Sequence, residues 1–230
     1  ARVVLVTGPI MNGAITTGYS VVKFLASRGR KVVTIESPVY TPLEEVQQVQ
    51  VSGGQFSKAL QSVVRTYPEA VMLSDLPDAE TATLALRTGA KMLVAALFEA
   101  ASAAEALDAL VMMGVTPRDI AGTLSVIVNQ RLVRRICEHC RKETRVLSSN
   151  LQHAGLTPDE AASLKAYSGE GCDKCHHTGY AGRVPIFEVL EWHADLARLL
   201  EQGATSQTLA PRARELGMVP LRKRCLDLIS

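Results

Sequence analysis

Residues 3–17 read VVLVTGPIMNGAITT, and this stretch decides the fold. It opens with five aliphatic and β-branched residues, which predict a buried strand. Gly8 and Gly13 follow with four residues between them, which is the frame of the phosphate-binding loop G-x-x-x-x-G-K-[ST] between a strand and a helix. The next residues are Ala14 and Ile15 instead of a lysine and a hydroxyl residue. The stretch therefore predicts a nucleotide-loop frame that lacks its ligand-binding side chains.

The missing side chains have defined roles in a complete loop, where the lysine adds a positive charge at the phosphates and the hydroxyl holds Mg²⁺. A charge-assisted hydrogen bond contributes about 1.5–3 kcal/mol, so the loss of the lysine alone weakens binding roughly ten- to hundredfold. Thr16 and Thr17 stand one residue late, and such a slip turns a helical side chain by about 100°. A plain strand–turn–helix corner with no history of ligand binding is the alternative reading. On the first reading Gly8, Gly13, Thr16 and Thr17 form a vestigial nucleotide site.

The composition bounds the class of protein. With 230 residues, 47% of them hydrophobic, the chain has the size of one large or two small globular domains. A net charge of +2 gives no general field for nucleic acid or membranes. No apolar run reaches the ~18 residues of a transmembrane helix. Because Ala1 directly precedes the first strand, we interpret the chain as a fragment, and its lack of a signal peptide carries no conclusion.

The rest of the N-terminal half alternates apolar runs with amphipathic segments. Strands are predicted over residues 31–36, 46–51 (a weak edge strand), 70–75 and 91–98, and helices over residues 14–28, 56–67, 78–88, 102–113 and 117 to about 128. This alternation is typical of a parallel sheet covered on both faces, with ligands beyond the carboxyl ends of the strands. Gly8, Glu36, Asp75 and Phe98 all fall at such ends. Residues 137 to about 188 have a poorer regular pattern, and short helices are predicted at about 192–201, 205–216 and 219–228.

Two C-x-x-C pairs, Cys137/Cys140 and Cys172/Cys175, lie 31 residues apart. Each pair can present two thiolates, and together they predict one structural zinc ion in tetrahedral coordination. The alternatives are four buried free thiols or, less favoured because two pairs are present, a redox dithiol. The three neighbouring histidines are predicted to be solvated, with replacement of a cysteine as ligand as the alternative: His139, His176 and His177. The fifth cysteine, Cys225, is predicted to be a core thiol.

Four arginines flank the first cysteine pair, namely Arg131, Arg134, Arg135 and Arg141. A zinc module with such neighbours suggests nucleic acid, but no aromatic residue lies among them in the sequence to stack a base. A solvated or subunit-contact face is therefore the favoured interpretation.

The order of these pieces resembles the ATPases that drive type II secretion and type IV pilus assembly, the GspE/PulE/PilB group. Residues 8–17 (GPIMNGAITT) align without gaps with the family's GPTGSGKTTT loop, and residues 34–40 (TIESPVY) lie over its TVEDPVEY box. Residues 71–82 (VMLSDLPDAETA) match VMVGEIRDLETA, and residues 130–140 (QRLVRRICEHC) are nearly the family's own sequence. Residues 172–188 (CDKCHHTGYAGRVPIFE) match CxxCxxTGYxGRxxIFE, which is specific to the family.

The resemblance implies an α/β fold with a RecA-like P-loop NTPase core, a zinc-binding tetracysteine subdomain and C-terminal helices. We place these parts at residues 1–135, 136–190 and 191–230. It also implies a location in the cytoplasm, peripheral to the inner membrane. The partners would be further copies or active relatives, in rings of about six subunits, and an inner-membrane platform protein. No nucleic acid is expected.

The departures from the family pattern fall on its chemical positions. Ala14, Ile15 and Phe98 replace the lysine, the magnesium-binding threonine and the histidine, and Asp75 replaces a glutamate. Ser37 and Pro77 also replace charged family residues, whereas Glu36 is kept. These losses favour an inactive member, a pseudo-ATPase with a structural or regulatory role, for which binding of ATP and Mg²⁺ is doubtful. The alternatives are an atypical ATPase, in which Glu36 and Asp75 hold magnesium and Thr16 and a partner's arginine compensate, and a nucleic-acid-binding zinc module.

Overall fold

A seven-stranded sheet runs through the chain, of which the computed structural model describes residues 3–52, 54–144 and 165–228. Its strand order is β3-β2-β4-β5-β1-β6-β9. The strands are β1 (Val3–Gly8), β2 (Val32–Glu36), β3 (Gln47–Gln50), β4 (Ala70–Leu73), β5 (Leu93–Glu99), β6 (Leu124–Ile136) and β9 (Tyr180–Glu191), and a separate hairpin-like pair is formed by β7 (Arg141–Thr144) and β8 (Ala166–Gly169). The helices are α1 (Ala14–Ser27), α2 (Phe56–Val64), α3 (Ala79–Thr88), α4 (Ala103–Met113), α5 (Pro117–Thr123), α6 (Ala194–Glu201), α7 (Ser206–Glu215) and α8 (Leu221–Asp227).

The sheet is mostly parallel, as the alternating pattern predicts. β1 pairs in parallel with both β5 and β6, and β2 pairs in parallel with β3 and β4. In the register of β1 with β5, Gly8 lies opposite Glu99, so the carboxyl ends of these strands share one edge. β9 lies beside β6 and runs in the opposite direction. Two hydrogen bonds show this direction, from Trp192 N–H to Ser125 O at one end and from Cys137 N–H to Gly179 O at the other.

Helices cover both faces of the sheet, which explains the continuous apolar strands. On one face Val6 and Met72 pack with Tyr19 and Val22 of α1. On the other face, a larger cluster joins the alternate strand residues to α2–α7; it includes Leu5, Ile35, Leu73, Leu60, Leu86, Leu107, Ile120, Leu196 and Leu209. Successive strand residues thus serve two cores, one on each face.

Two elements differ from the sequence prediction. The helix expected from Pro117 to about residue 128 ends at Thr123, and the β-branched run from Leu124 onward is the start of β6. A run of Val and Ile fits a pleated strand better than a helix, and tertiary pairing with β1 decides the outcome. The long strand β9 was not predicted because Gly182 and Pro185 interrupt its pattern. Its place at the edge of the sheet tolerates a proline.

The chain forms two compact units. The first comprises residues 1–131 and 187–220, and the second comprises residues 132–186 and 221–230. The three segments 1–135, 136–190 and 191–230 stay a prediction. In the first unit, α6 and α7 bury Leu196, Leu200 and Leu209 in the core. Residues 145–164, which belong to the predicted tetracysteine segment, lie outside the described residues. Within the described ranges, no helix is long and apolar enough to cross a bilayer.

Candidate functional site

The loop between β1 and α1 has the backbone shape that its two glycines suggest. Gly13 adopts φ 82° immediately before α1, and Met11 adopts φ 64°, an unusual value for a residue with a side chain. Ile10 and Met11 are 74% and 84% exposed at the loop apex. A loop of the predicted length and position is therefore present, but it presents apolar side chains to solvent.

The first two residues of α1 carry neither a charge nor a side-chain oxygen. Ala14 and Ile15 are its first residues, and both lie against the α1-side core. Thr16 is exposed, while Thr17 is half-buried and donates its hydroxyl proton to Gln130 Oε1. Of Thr16 and Thr17, only the half-buried Thr17 has a hydroxyl that is hydrogen-bonded to Gln130 within the protein.

Glu36, the family-type carboxylate that the sequence keeps, is fully buried at the end of β2. Its Oε2 accepts a hydrogen bond from the Tyr19 hydroxyl. Its Oε1 accepts hydrogen bonds from Thr34 Oγ1 and, at 2.9 Å, from Gln48 Nε2. Burial and the bond to Glu36 raise the pKa of Tyr19, which keeps the phenol protonated as a donor. The carboxylate is thus saturated by side-chain donors of the chain itself.

Tyr19 and Gln48 extend this network into the loop after β2. The Tyr19 hydroxyl accepts hydrogen bonds from the N–H groups of Tyr40 (3.1 Å) and Thr41 (3.4 Å). Gln48 accepts from Leu43 N–H at 2.7 Å. Glu36 is therefore the centre of a buried network that joins α1, β2, β3 and this loop.

Asp75 follows β4 at the same sheet edge as Gly8 and Glu99, and its surroundings are acidic. Burial raises the pKa of Asp75, and the negative charges of Glu99 and Asp78 raise it further, although Leu76 N–H donates to its carboxylate at 2.8 Å. Phe98, at the family's histidine position, is half-buried and packs against the core. The edge that would face a triphosphate thus carries negative charge.

Asn129 and Gln130 of β6 are site residues that the sequence reasoning did not single out. Asn129 Nδ2 donates to Thr7 Oγ1 (2.8 Å) and to Ala100 O (3.2 Å), and Gln130 contacts the loop. Only the place of Gln130 at the start of the family-like QRL segment signalled this pair. Asn129 Oδ1 and Arg131 Nη1 are buried without a partner in the described part of the chain, although Arg131 Nη2 donates to Ala101 O at 2.6 Å.

The second unit brings the four predicted cysteines together. The sulfur atoms of Cys137, Cys140, Cys172 and Cys175 lie within 4.8 Å of one another. Three of the sulfur–sulfur distances are 4.0, 3.8 and 3.8 Å. A tetrahedral ion with Zn–S bonds of about 2.3 Å requires sulfur separations of roughly 3.8 Å, so the cluster has the size of such a site.

Backbone groups support the cysteine cluster. The N–H groups of Cys172 and Gly179 donate to Cys175 Sγ at 3.2 and 3.3 Å. Burial alone would raise the pKa of Cys175, but these donors favour the thiolate and lower it to about 6. Burial raises the pKa of the Cys140 thiol to about 12. The four-sulfur group could bind a metal ion.

The neighbouring residues predicted as possible substitutes stay outside this cluster. Among the described residues, the cluster that could hold a metal ion consists of cysteines alone. His139, His176 and His177 are exposed, and His177 Nε2 lies 3.1 Å from Asp173 Oδ1. The prediction that Cys225 is a core thiol is wrong, since no described residue of α8 is buried.

Two arginines of the second unit lie on tyrosine rings that the sequence places far away. Arg134 stacks 3.9 Å from the centroid of Tyr180, and Arg141 lies 5.2 Å from that of Tyr167. The expectation that no aromatic residue lies among the arginines therefore holds only along the sequence. Each guanidinium lies over one face of its ring, and both tyrosines remain partly exposed.

Comparison with known proteins gives the family. Residues 1–230 match the family model described as "Type II/IV secretion system protein". The chain belongs to this family. It is 36% identical over 223 residues to the type IV pilus assembly ATPase PilB of Pseudomonas aeruginosa, covering 95% of the chain and 39% of that relative. It is 31% identical to the type II secretion system protein E of the same organism, covering 94% of the chain and 43% of that relative. The chain spans less than half the length of these relatives.

Solved structures agree on the fold of the family. The pilus retraction motor PilT with bound ADP matches with a TM-score of 0.66 at 18% identity, covering 97% of the chain and 60% of PilT. The Legionella pneumophila ATPase DotB matches with a TM-score of 0.62 at 18% identity, covering 97% of the chain and 53% of DotB. The predicted membership of the secretion and pilus ATPase family is confirmed, together with an α/β fold built on a mostly parallel sheet.

Proposed function

We propose that the chain is a catalytically inactive, RecA-like domain of a type II secretion or type IV pilus assembly ATPase-like protein, with a structural or regulatory role in that machinery. The observation that carries the proposal is the first turn of α1, where Ala14 and Ile15 stand in place of a cation and a magnesium-binding oxygen. Without them the loop N–H groups alone would have to hold a tetraanionic ligand.

The charge at the sheet edge supports the same proposal. Asp75 and Glu99 both lie near the carboxyl ends of their strands, and burial, with the negative charges of Glu99 and Asp78, raises the pKa of Asp75. A triphosphate placed there without a neutralising lysine would add further repulsion. The vestigial site is thus Gly8, Gly13, Thr16 and Thr17, with Glu36 and Asp75 as vestigial acids.

Glu36 supports a structural role for what remains of the site. Activation of a water or coordination of magnesium requires a carboxylate oxygen directed to the ligand. Both oxygens of Glu36 accept hydrogen bonds inside the protein, and its side chain is inaccessible to solvent. The alternative, an atypical ATPase that uses Glu36 and Asp75, requires this network to open.

We further propose that Cys137, Cys140, Cys172 and Cys175 hold a structural zinc ion. Four sulfurs at tetrahedral spacing suit zinc, and four protein ligands leave no open position for catalysis. The ion would neutralise part of the thiolate charge and tie β6 to the turn before β9. We propose no role for this zinc ion in the chemistry of the first unit.

The partners we propose follow from the family. The chain would assemble with copies of itself or with active relatives, in a ring of about six, at the cytoplasmic face of the inner membrane. There it would contact the platform protein of the secretion or pilus system, and no nucleic acid is expected. The names of the relatives, a pilus assembly ATPase and a secretion system protein, support only the assignment to such a machinery.

The test is nucleotide binding by the purified chain, measured by calorimetry with Mg²⁺ and ATP and with PilB as positive control. We expect no saturable heat up to about 1 mM nucleotide, a concentration that corresponds to only about 4 kcal/mol of binding free energy. Phosphate release above a buffer blank that is abolished by Glu36→Gln would overturn the proposal in favour of the atypical ATPase. Metal content by atomic absorption, expected at one zinc per chain, tests the cysteine site separately.

A further inference from the structure

Gln130 lies where β6 passes the loop between β1 and α1, and its side chain is 2% exposed. Its Nε2 donates to Asn12 O at 2.7 Å, and its Oε1 accepts from Thr17 Oγ1. A single side chain thus bridges the end of the loop and the first turns of α1, from a strand more than 110 residues away in the sequence.

The backbone of Gln130 also closes on the start of the loop. A Cβ added to Gly8 would come within 2.6 Å of Gln130 O, so only glycine fits this approach. The loop therefore contacts residue 130 at its beginning through the backbone and at its end through the side chain.

We propose that Gln130 is a positioning residue that holds residues 9–13 in their conformation without a bound nucleotide. The left-handed backbone of Met11 is sparsely populated for such a residue, and conformations of this kind persist only where surrounding contacts enforce them. Within the loop, Asn12 N–H bonds to Pro9 O at a long 3.3 Å. The shorter bond from Gln130 to Asn12 O is thus the stronger restraint.

The same contacts determine what the loop can offer. Because Thr17 donates its hydroxyl proton to Gln130, that proton is not available to a phosphate oxygen. The fixed loop instead displays Ile10 and Met11 at its exposed apex. The statement that the loop needs no nucleotide rests on the proposed function. The restraint of the loop by Gln130 is independent of that function.

Hydrogen exchange followed by mass spectrometry on the whole chain tests this inference, read on peptides that cover residues 9–17. Gln130→Met removes both hydrogen bonds at similar volume. Thr17→Val removes one and is the milder variant should the first fail to fold. Thr16→Val makes the same chemical change on the exposed neighbouring threonine and is the matched control.

We expect exchange in the loop peptides to rise about tenfold in Thr17→Val, the loss of one hydrogen bond, and more in Gln130→Met. Thr16→Val should match the wild type, and peptides from β2 and β4 should not change in any variant. Exchange in the loop peptides of Gln130→Met at the wild-type rate would overturn the role of Gln130, whatever the effect of nucleotide. If Gln130→Met does not fold, equal exchange in Thr17→Val and Thr16→Val would rule out a restraint through Thr17. Slower exchange in the wild-type loop on addition of Mg²⁺ and ATP would instead overturn the nucleotide independence and the proposed function, while faster exchange in Gln130→Met would still support the restraint.

Discussion

Replacement of the buried carboxylate at Glu36 separates a structural from a catalytic role. In an active enzyme, Glu36→Gln would leave the fold intact and remove turnover. Here the carboxylate accepts hydrogen bonds from Tyr19, Thr34 and Gln48 and is inaccessible to solvent. We therefore expect the substitution to act on stability.

The magnitude follows from the buried donors. Glu36→Ala leaves two buried hydroxyl donors, those of Tyr19 and Thr34, without their acceptor. The half-buried Gln48 still donates to Thr41 O. At about 1–2 kcal/mol for each buried donor, the free energy of unfolding should fall by about 2–4 kcal/mol. Glu36→Gln retains one acceptor oxygen but turns an amide toward a donor, and should cost about 1–2 kcal/mol. With a urea m value of about 2–3 kcal/mol/M, the larger change lowers the unfolding midpoint by about 1–2 M.

Asp75→Asn is the matched control, because Asp75 is the other acid of the vestigial site. Folding raises the pKa of Asp75, so the native state holds this proton more tightly than the unfolded chain does. Its contribution to stability therefore falls as the pH rises above the unfolded pKa of about 3.9. At neutral pH, Asp75→Asn should leave the midpoint unchanged or raise it, since the amide oxygen can still accept from Leu76 N–H.

Urea unfolding followed by far-UV circular dichroism measures both effects. The reasoning fails if Glu36→Ala unfolds at the wild-type midpoint, because the carboxylate would then not be the acceptor of a buried network. It fails equally if Asp75→Asn destabilises the chain as strongly as Glu36→Ala, because the loss would then follow from charge at this edge and not from the hydrogen bonds.

Three further substitutions test other parts of the structure. Cys172→Ser should abolish stoichiometric zinc binding, measured by atomic absorption, and increase proteolysis of the second unit; an unchanged zinc content would contradict the proposed ligand set. Glu188→Ala removes the buried carboxylate that accepts from the first N–H of α4 at 2.9 Å, and should lower the free energy of unfolding by about 1–2 kcal/mol, with Glu188→Gln intermediate. Gly169→Ala should destabilise the second unit strongly, because the new Cβ would lie 2.0 Å from a backbone oxygen, whereas Gly122→Ala meets nothing within 4 Å and should be neutral or slightly stabilising in thermal unfolding.

The sequence predicts best where local pattern and tertiary structure agree. The strands that end at Gly8 and Glu36 were predicted because both faces of the sheet are covered, so their residues are mostly apolar. Asp78 and Ser102 were correctly placed at helix starts, where their side chains accept from Thr81 N–H and Glu105 N–H. The spacing of the four cysteines was also enough to predict that they form one cluster.

The prediction fails where distant partners decide the structure. The helix expected beyond Thr123 becomes β6, since β1 supplies a parallel partner for that run. The contact of Gln130 with Thr17 joins residues 113 positions apart, and no periodicity could indicate it. Tyr180 reaches Arg134 for the same reason, because β9 returns alongside β6.

The two candidate sites differ in what they require from outside the chain. In the first unit, Glu36 has three donors, and Gln130 serves both Asn12 and Thr17, so the groups that would meet a nucleotide are paired within the protein. A polar site satisfied internally gains little from a ligand and must break these bonds to accept one. In the second unit, four sulfurs lie at the spacing of a tetrahedral ion, and as thiolates they would repel one another without a cation. The fold should therefore depend on metal and not on nucleotide, and chelation should lower its stability where the removal of ATP does not.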